Sequence, residues 1–182
     1  MLTMDKRWLE LCRDGDASAI ERLVSSYQKE LYRLAFSILN DHHEAEDCTQ
    51  EAFLAVLHNL DSFRGDSSFK TWLYSITINI CRNRFERRKH HQRLQNILNM
   101  IFSTQTAAHP EENAIQNESD ERLWQRIRYL DEKHRVPLIL RYFHDLPVAE
   151  IAQILGLPLG TVHSRLNTAR ERLRDVLKDG IV

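Results

Sequence analysis

Glycine and proline are scarce, at five and four residues in a chain of 182. That scarcity disfavours turn-dense β-sandwiches and any collagen-like or low-complexity architecture. The three cysteines, Cys12, Cys48 and Cys81, are scattered and odd in number. They argue against a disulfide framework and fit a reducing cytoplasm. Long apolar runs are missing. The longest stretch without Asp, Glu, Lys or Arg, Leu94 to Pro110, carries Gln95, Asn96, Asn99 and Gln105, and is too polar to cross a bilayer. The opening MLTMDKRWLELCRDGD has no apolar core, so no signal peptide and no membrane insertion are expected. Period-two alternation is absent too, which leaves no expected sheet. At 42% hydrophobic and 28% charged residues, the chain can still build a packed core for one domain or two small ones.

A formal net charge of −1 hides a strong segregation of sign. Between Asp41 and Phe63 stand six acids and no Lys or Arg. From Arg64 to Arg93 eight bases face two acids, a balance of +6. From Leu94 to Asp120 four acids stand alone, and from Arg122 onward eleven bases face seven acids. Two basic blocks separated by acidic stretches suggest two polyanion-facing surfaces.

Apolar periodicity predicts helices almost throughout. Asp16 can cap one that runs to about Leu39, with Ile20, Leu23, Val24, Tyr27, Leu31, Leu34, Ala35 and Ile38 on one face. Asp41 can cap a second that buries Ala45, Cys48, Ala52, Val56 and Leu60. After a loop from Asp61 to Ser68, Ser67 or Ser68 opens a third, with Phe69, Trp72, Leu73, Ile76 and Ile80 inward. The polar, acidic segment after Leu94, broken by Pro110, reads as an interdomain linker. Within it Leu94, Ile97, Leu98, Ile101 and Phe102 keep helical spacing, either as a continued helix on the first domain or as a docking helix for a partner. Four further helices are expected at about 120–130, 132–143, 148–155 and 159–177, with Pro137 marking a kink or a later start for the second of these. The expected architecture is all-α: two small helical domains, 1–93 and 119–182, joined by a flexible acidic linker, 94–118.

The strongest local signal is VAEIAQILGLPLGTVHSRLNTARERLR, Val148 to Arg174. Val148, Ile151, Ala152 and Leu155 form the buried stripe of one helix. Gly156 supplies a sharp turn, and Val162, Leu166, Ala169, Leu173 and Val176 form the stripe of the next. This is helix-turn-helix spacing. The exposed face of the second helix carries Thr161, His163, Ser164, Arg165, Asn167 and Thr168, short donors and a base suited to the edges of a major groove. An ordinary helical hairpin with a solvated basic face is the plainer possibility, and the clustering of donors beside the turn argues against it.

Ser67 to His91 combines bases with aromatics at or near its start, Phe63, Phe69, Trp72 and Tyr74. That mixture suits single-stranded nucleic acid, although Phe69 and Trp72 also have core spacing. In Asp41 to Leu60, His42, His43, Glu44, Glu46, Asp47 and Cys48 invite a metal reading. Acids at a helix start meet the dipole favourably, and no second ligand cluster stands at a matching spacing, so no metal is expected. No phosphate-binding loop, nucleophile elbow or paired catalytic constellation is present, so neither enzymatic activity nor a cofactor is expected.

Taken together, EAEDCTQEAFLAVL, FRGDSSFKTWLYSITINICRNRFERR and LDEKHRVPLILRYFHDLPVAEIAQILGLPLGTVHSRLNTARERLR resemble, in this order, the extracytoplasmic-function group of bacterial sigma factors. The resemblance covers nearly the whole chain. It implies a cytoplasmic protein that binds core RNA polymerase and directs it to promoter DNA, with an anti-sigma factor as a candidate further partner. It places polymerase binding on Glu46, Asp47, Gln50, Glu51 and Phe53. Recognition and opening of the −10 element fall on Phe63, Arg64, Ser67 and Ser68 in the loop and on Asn79, Arg82 and Asn83 in the third helix. Reading of the duplex −35 element falls on Thr161, His163, Ser164, Arg165, Asn167 and Thr168. His163 and Thr168 depart from the family, which commonly carries a base at each. The −35 contact is therefore expected to be less electrostatic or to read a different sequence.

A stand-alone helix-turn-helix regulator would account for the C-terminal half but not for the acidic helix or the basic third helix. A helical metalloenzyme would rest on the His and acid cluster alone. A duplex shift without polymerase marks the regulator, and stoichiometric metal marks the enzyme.

Overall fold

The structure, a computed structural model, describes residues 6–102 and 124–178, with side chains over 7–88 and 124–175. Every regular element among the described residues is helical. The order is α1 (Lys6–Arg13), α2 (Ala17–Leu39), α3 (His42–His58), a 3-10 turn (Leu60–Ser62), α4 (Phe69–Phe102), α5 (124–128), α6 (Glu132–Tyr142), α7 (Val148–Leu155) and α8 (Leu159–Lys178).

The expected caps hold. Asp16 accepts from the Ala19 amide at 2.7 Å, and Asp41 from the Glu44 amide at 3.0 Å. Each satisfies an orphan N–H of a first turn. Ser68, rather than Ser67, opens α4 by accepting from the Thr71 amide at 3.0 Å. Gly156 adopts φ 62° and donates to Ala152 and Gln153, the left-handed stop that lets α7 and α8 turn sharply. The loop tip at Gly65 is left-handed as well, at φ 82°. Helix α6 starts at Glu132 and continues through Pro137, so the proline neither breaks it nor delays its start.

Helix α1 was not anticipated. Trp8, Leu9 and Cys12 have one-turn spacing and are buried, and the Trp8 indole donates to the Ala19 carbonyl at 3.0 Å. The α4 stripe also differs from expectation. Phe69 and Leu73 are buried as expected, and Thr71, Tyr74, Thr77, Ile78 and Cys81 are buried with them, whereas Trp72, Ile76 and Ile80 are only half buried. Tyr74, offered above as a platform for bases, lies within the core. Cys48 and Cys81 meet there as free thiols, sulfur to sulfur 2.8 Å, and their mutual hydrogen bond, followed by burial, pushes the Cys81 thiol pKa upward. Helix α4 runs past position 93 to Phe102, through the first part of the segment assigned to the linker. The remainder of that segment, and the apolar side chains from Leu94 to Phe102, lie outside what is described.

The two halves pack together. The Ser37 hydroxyl and the His144 ring lie 3.2 Å apart, and the His144 ring stands perpendicular to that of Tyr74 with centroids 6.0 Å apart. Arg82 of α4 pairs with Glu132 of α6 at 2.5 Å, and the Arg135 guanidinium lies over the Phe85 ring at 4.6 Å. Burial depresses the His144 pKa below its ordinary 6.5. Lys70 and Arg33 push the same way, while Glu30 and Asp145 oppose them. His134 is depressed likewise, by burial first and then by Arg172.

These histidines predict a sign for the pH dependence. Above pH 6.5 both the packed and the unfolded states leave them neutral, and their full contribution to stability is present. As pH falls from there toward the depressed folded values, the unfolded state gains protons ahead of the folded state, and stability is lost. The melting temperature should therefore drop between about pH 7 and 5.5, a window in which ordinary carboxylates stay ionised. His144→Leu should flatten that drop. An equal slope in the variant would remove His144 from the explanation.

Candidate nucleic-acid and protein interfaces

Helix α3 divides its faces sharply. Ala45, Cys48, Thr49, Ala52, Phe53 and Val56 are buried, while Glu46, Asp47, Gln50 and Glu51 are exposed. Phe53, expected among the partner-facing residues, belongs to the buried stripe at 7% exposure. It follows Ala52 and precedes Val56 by three, so core spacing claims it. Its neighbour Leu54 is the exposed apolar residue, at 69%. An exposed leucine flanked by carboxylates has the makeup of an interface centre with a polar rim.

Arg84 organises that rim from α4. Its guanidinium reaches Glu51 at 2.8 Å, Glu44 at 3.0 Å and Asp47 at 3.4 Å. Burial works against its charge, but the bonds to Glu51 and Glu44 outweigh burial and raise its pKa. Asp47 and Glu51 are thus held in fixed directions by a residue 33 to 37 positions away. Glu46, by contrast, has no salt-bridge partner among the described residues and is fully available.

The loop before α4 is anchored from α1. Arg13 donates to the carbonyls of Leu60 at 3.1 Å and Phe63 at 3.2 Å, and approaches Asp61 at 3.4 Å. Only the tertiary fold reveals this role. Phe63 is half buried, edge-on to Phe69 at 5.4 Å and 5.2 Å from Trp72, which leaves part of its ring at the surface. Arg64 and Ser68 are exposed and Ser67 is half buried. Nearly three turns into α4, Asn79, Arg82 and Asn83 share an exposed face, as i, i+3 and i+4 spacing requires. Arg82 does not point freely to solvent, because Glu132 holds it.

In the helix-turn-helix, Ile151 and Ile154 of α7 and Val162, Leu166 and Ala169 of α8 are buried. Val148, Ala152 and Leu155, read as the α7 stripe, are half buried, and Ile154 carries the inward position they leave. On α8 the exposed positions are His163, Ser164 and Asn167, with Thr161, Arg165 and Thr168 half buried between them. Arg170 hydrogen-bonds the Asn167 side-chain oxygen, which fixes the amide's direction. Arg172 turns away from this face to pair with Asp131 at 2.9 Å, and that bond, followed by Arg172's charge, lowers the Asp131 pKa. The donors therefore line one side of α8, and the helix core packs on α6 and α7.

No three His, Cys, Asp or Glu side chains converge on a common point among the described residues. His42 instead stacks on Phe36 at 4.5 Å and meets the Tyr32 hydroxyl at 2.7 Å. No described helix is long and apolar enough to cross a membrane.

Sigma-70 region 2 matches residues 23–91, and Sigma-70, region 4 matches residues 120–173. The ECF RNA polymerase sigma factor SigW of Bacillus subtilis is 33% identical, across 98% of this chain and 100% of the relative. The RNA polymerase sigma-H factor of Pseudomonas aeruginosa is 34% identical across 98% and 97%. Among solved structures, the sigma factor RpoE of Bartonella quintana, in complex with the anti-sigma factor NepR, aligns at a TM-score of 0.63. It is 26% identical, over 87% of this chain and 96% of that one. CnrH, in complex with the cytosolic domain of CnrY, shares the fold at a TM-score of 0.69 and 24% identity, over 97% and 98% of the two chains. With both regions matched in order and full-length relatives at a third identity, the chain belongs to the extracytoplasmic-function group of RNA polymerase sigma factors.

Proposed function

We propose that this sigma factor divides promoter work between its halves. Residues 1–93 dock on core RNA polymerase and open the −10 element, 119–182 read the −35 element, and 94–118 connect them. The observation that carries this division is the back-to-back arrangement of α3 and α4. One presents carboxylates around Leu54, the other presents Asn79, Arg82 and Asn83. The first suits a basic protein surface, the second an unpaired strand whose bases and phosphates need donors. Phe63, Arg64, Ser67 and Ser68, on the loop that Arg13 anchors, extend the strand-facing surface.

The α8 face, Thr161, His163, Ser164, Arg165, Asn167 and Thr168, suits the major groove. Two modest DNA contacts become selective when polymerase sets their separation. The protein works as an initiation factor in the cytoplasm, without enzymatic activity of its own. An anti-sigma factor is the further partner we infer, because the solved structure of RpoE holds one.

Run-off transcription with core polymerase on a fragment upstream of the chain's own gene tests this function. Defined transcripts that require the chain are expected. A shift of promoter duplex by the chain alone, with no effect on polymerase, would reassign it as a regulator.

The −35 assignment has its own test. A neutral imidazole offers one donor and one acceptor, whereas arginine brings a fork of donors and a fixed charge. His163→Arg should tighten holoenzyme binding to the promoter. It should also steepen the salt dependence by about one counterion where the new contact is to phosphate. Arg165→Ala should act in the opposite direction. Affinity measured across a salt series decides, and no change in either variant would remove α8 from the groove.

A further inference from the structure

We propose that the cleft between the two halves is a binding site for a free nucleotide, held through its phosphates. The cleft has a volume of about 430 Å³, a size suited to a small ligand. Arg88 comes from α4, and Arg128, Tyr129 and Arg135 come from α5, α6 and the turn between them.

Arg135 carries the inference. It is 5% exposed, and its Nε and one terminal nitrogen, Nη2, have no hydrogen-bond partner. The Phe85 ring beneath it covers one face of the guanidinium and satisfies none of its edge N–H groups. Burial lowers its pKa and the charge of Arg128 adds to that, while the charge of Glu132 opposes them without restoring the ordinary value. An unpaired buried cation is costly, and an anion seated against it removes the cost.

The carboxylates nearby are already committed. Asp131 binds Arg172 at 2.9 Å and Glu132 binds Arg82 at 2.5 Å. Arg88 reaches an acid only at 3.9 Å, at Asp41, and Arg128 has no acid partner among the described residues. Three guanidiniums outnumber the two carboxylates, Asp131 and Glu132, that line the same cleft and are bound to Arg172 and Arg82. They match a multiply charged phosphate chain, which takes bidentate forks from each. At the rim, Tyr129 is 84% exposed and offers a ring face on which a base can stack. The lining comes from both halves, so the ligand would hold them together.

The test uses the full-length chain and a fluorescent N-methylanthraniloyl ATP. Competitors are ATP, inorganic phosphate and a short single-stranded DNA. Saturable binding displaced by ATP is expected, with phosphate competing at least about tenfold less well. Arg128→Ala and Arg135→Lys should each weaken binding at least about tenfold, and Tyr129→Ala roughly tenfold through lost stacking. Arg128 and Tyr129 are exposed, so their variants should keep the wild-type melting temperature, and they decide the matter even where a change at Arg135 unfolds the chain. Absence of saturable binding, or unchanged affinity in Arg128→Ala, overturns the site. Equal competition by phosphate overturns the nucleotide assignment, and tighter binding of the DNA strand than of ATP reassigns the cleft to nucleic acid.

Discussion

Glu46→Lys combined with Leu54→Asp should weaken affinity for core polymerase by roughly 30- to 100-fold, while helical content and melting temperature stay at wild-type values. Both side chains are exposed and neither contacts the core, so the folded state has little to lose. In the proposed dock Leu54 is the apolar centre and Glu46 the free charge, and an interface loses most when its desolvated centre is made polar. Reversal of Asp47 and Glu51 to Lys should weaken docking as well, but through two routes. New cations would face Arg84, which now lies 3.4 Å from Asp47 and 2.8 Å from Glu51. That pair should therefore also lower the melting temperature, and the difference between the two double variants separates contact from organisation. Titration of labelled core polymerase is the measurement. Unchanged affinity in Glu46→Lys/Leu54→Asp would exclude this face of α3 as the dock.

Asn79→Ala with Arg82→Ala should spare holoenzyme assembly and reduce opening of the −10 region by about ten- to a hundredfold. The two side chains lie one turn apart on the exposed face of α4, away from the acids that α3 presents. Melting costs the stacking and pairing of the duplex, and donors waiting for unstacked bases offset that cost. Arg82 enters this step from an occupied state, since Glu132 holds it at 2.5 Å. Glu132→Gln should accordingly raise opening relative to wild type, and the rise should vanish when Arg82 is already Ala. Permanganate footprinting reads the bubble directly. A normal bubble in the double variant would assign strand capture to other residues.

Much of this molecule is local and was legible in the chain as written. Asp16, Asp41 and Gly156 mark helix ends because each meets a terminal group within four residues. The helix-turn-helix follows from one buried stripe on each helix and a glycine between them. The segregation of acids onto α3 and bases onto α4 is plain in the order of the residues. Such features depend on neighbours in sequence, and helical periodicity reports neighbours in sequence faithfully.

What only the tertiary structure decided depends on residues far apart. Phe53 and Leu54 are adjacent apolar residues, and which of them turns inward depends on how α3 rotates against α2 and α4, a choice made by packing. Arg84 gathers Glu44, Asp47 and Glu51 across 33 to 40 positions, so a run of acids that looked uniformly free is partly committed. Arg13 holds the loop at Phe63 across 50 positions, and Glu132 holds Arg82 across the same separation. Charge patterns show which groups exist, but ion pairs and buried cations are decided by where helices cross. That is why the helices and the separation of acidic from basic faces could be read from order alone, whereas the packing of the two halves and the unpaired Arg135 between them could not.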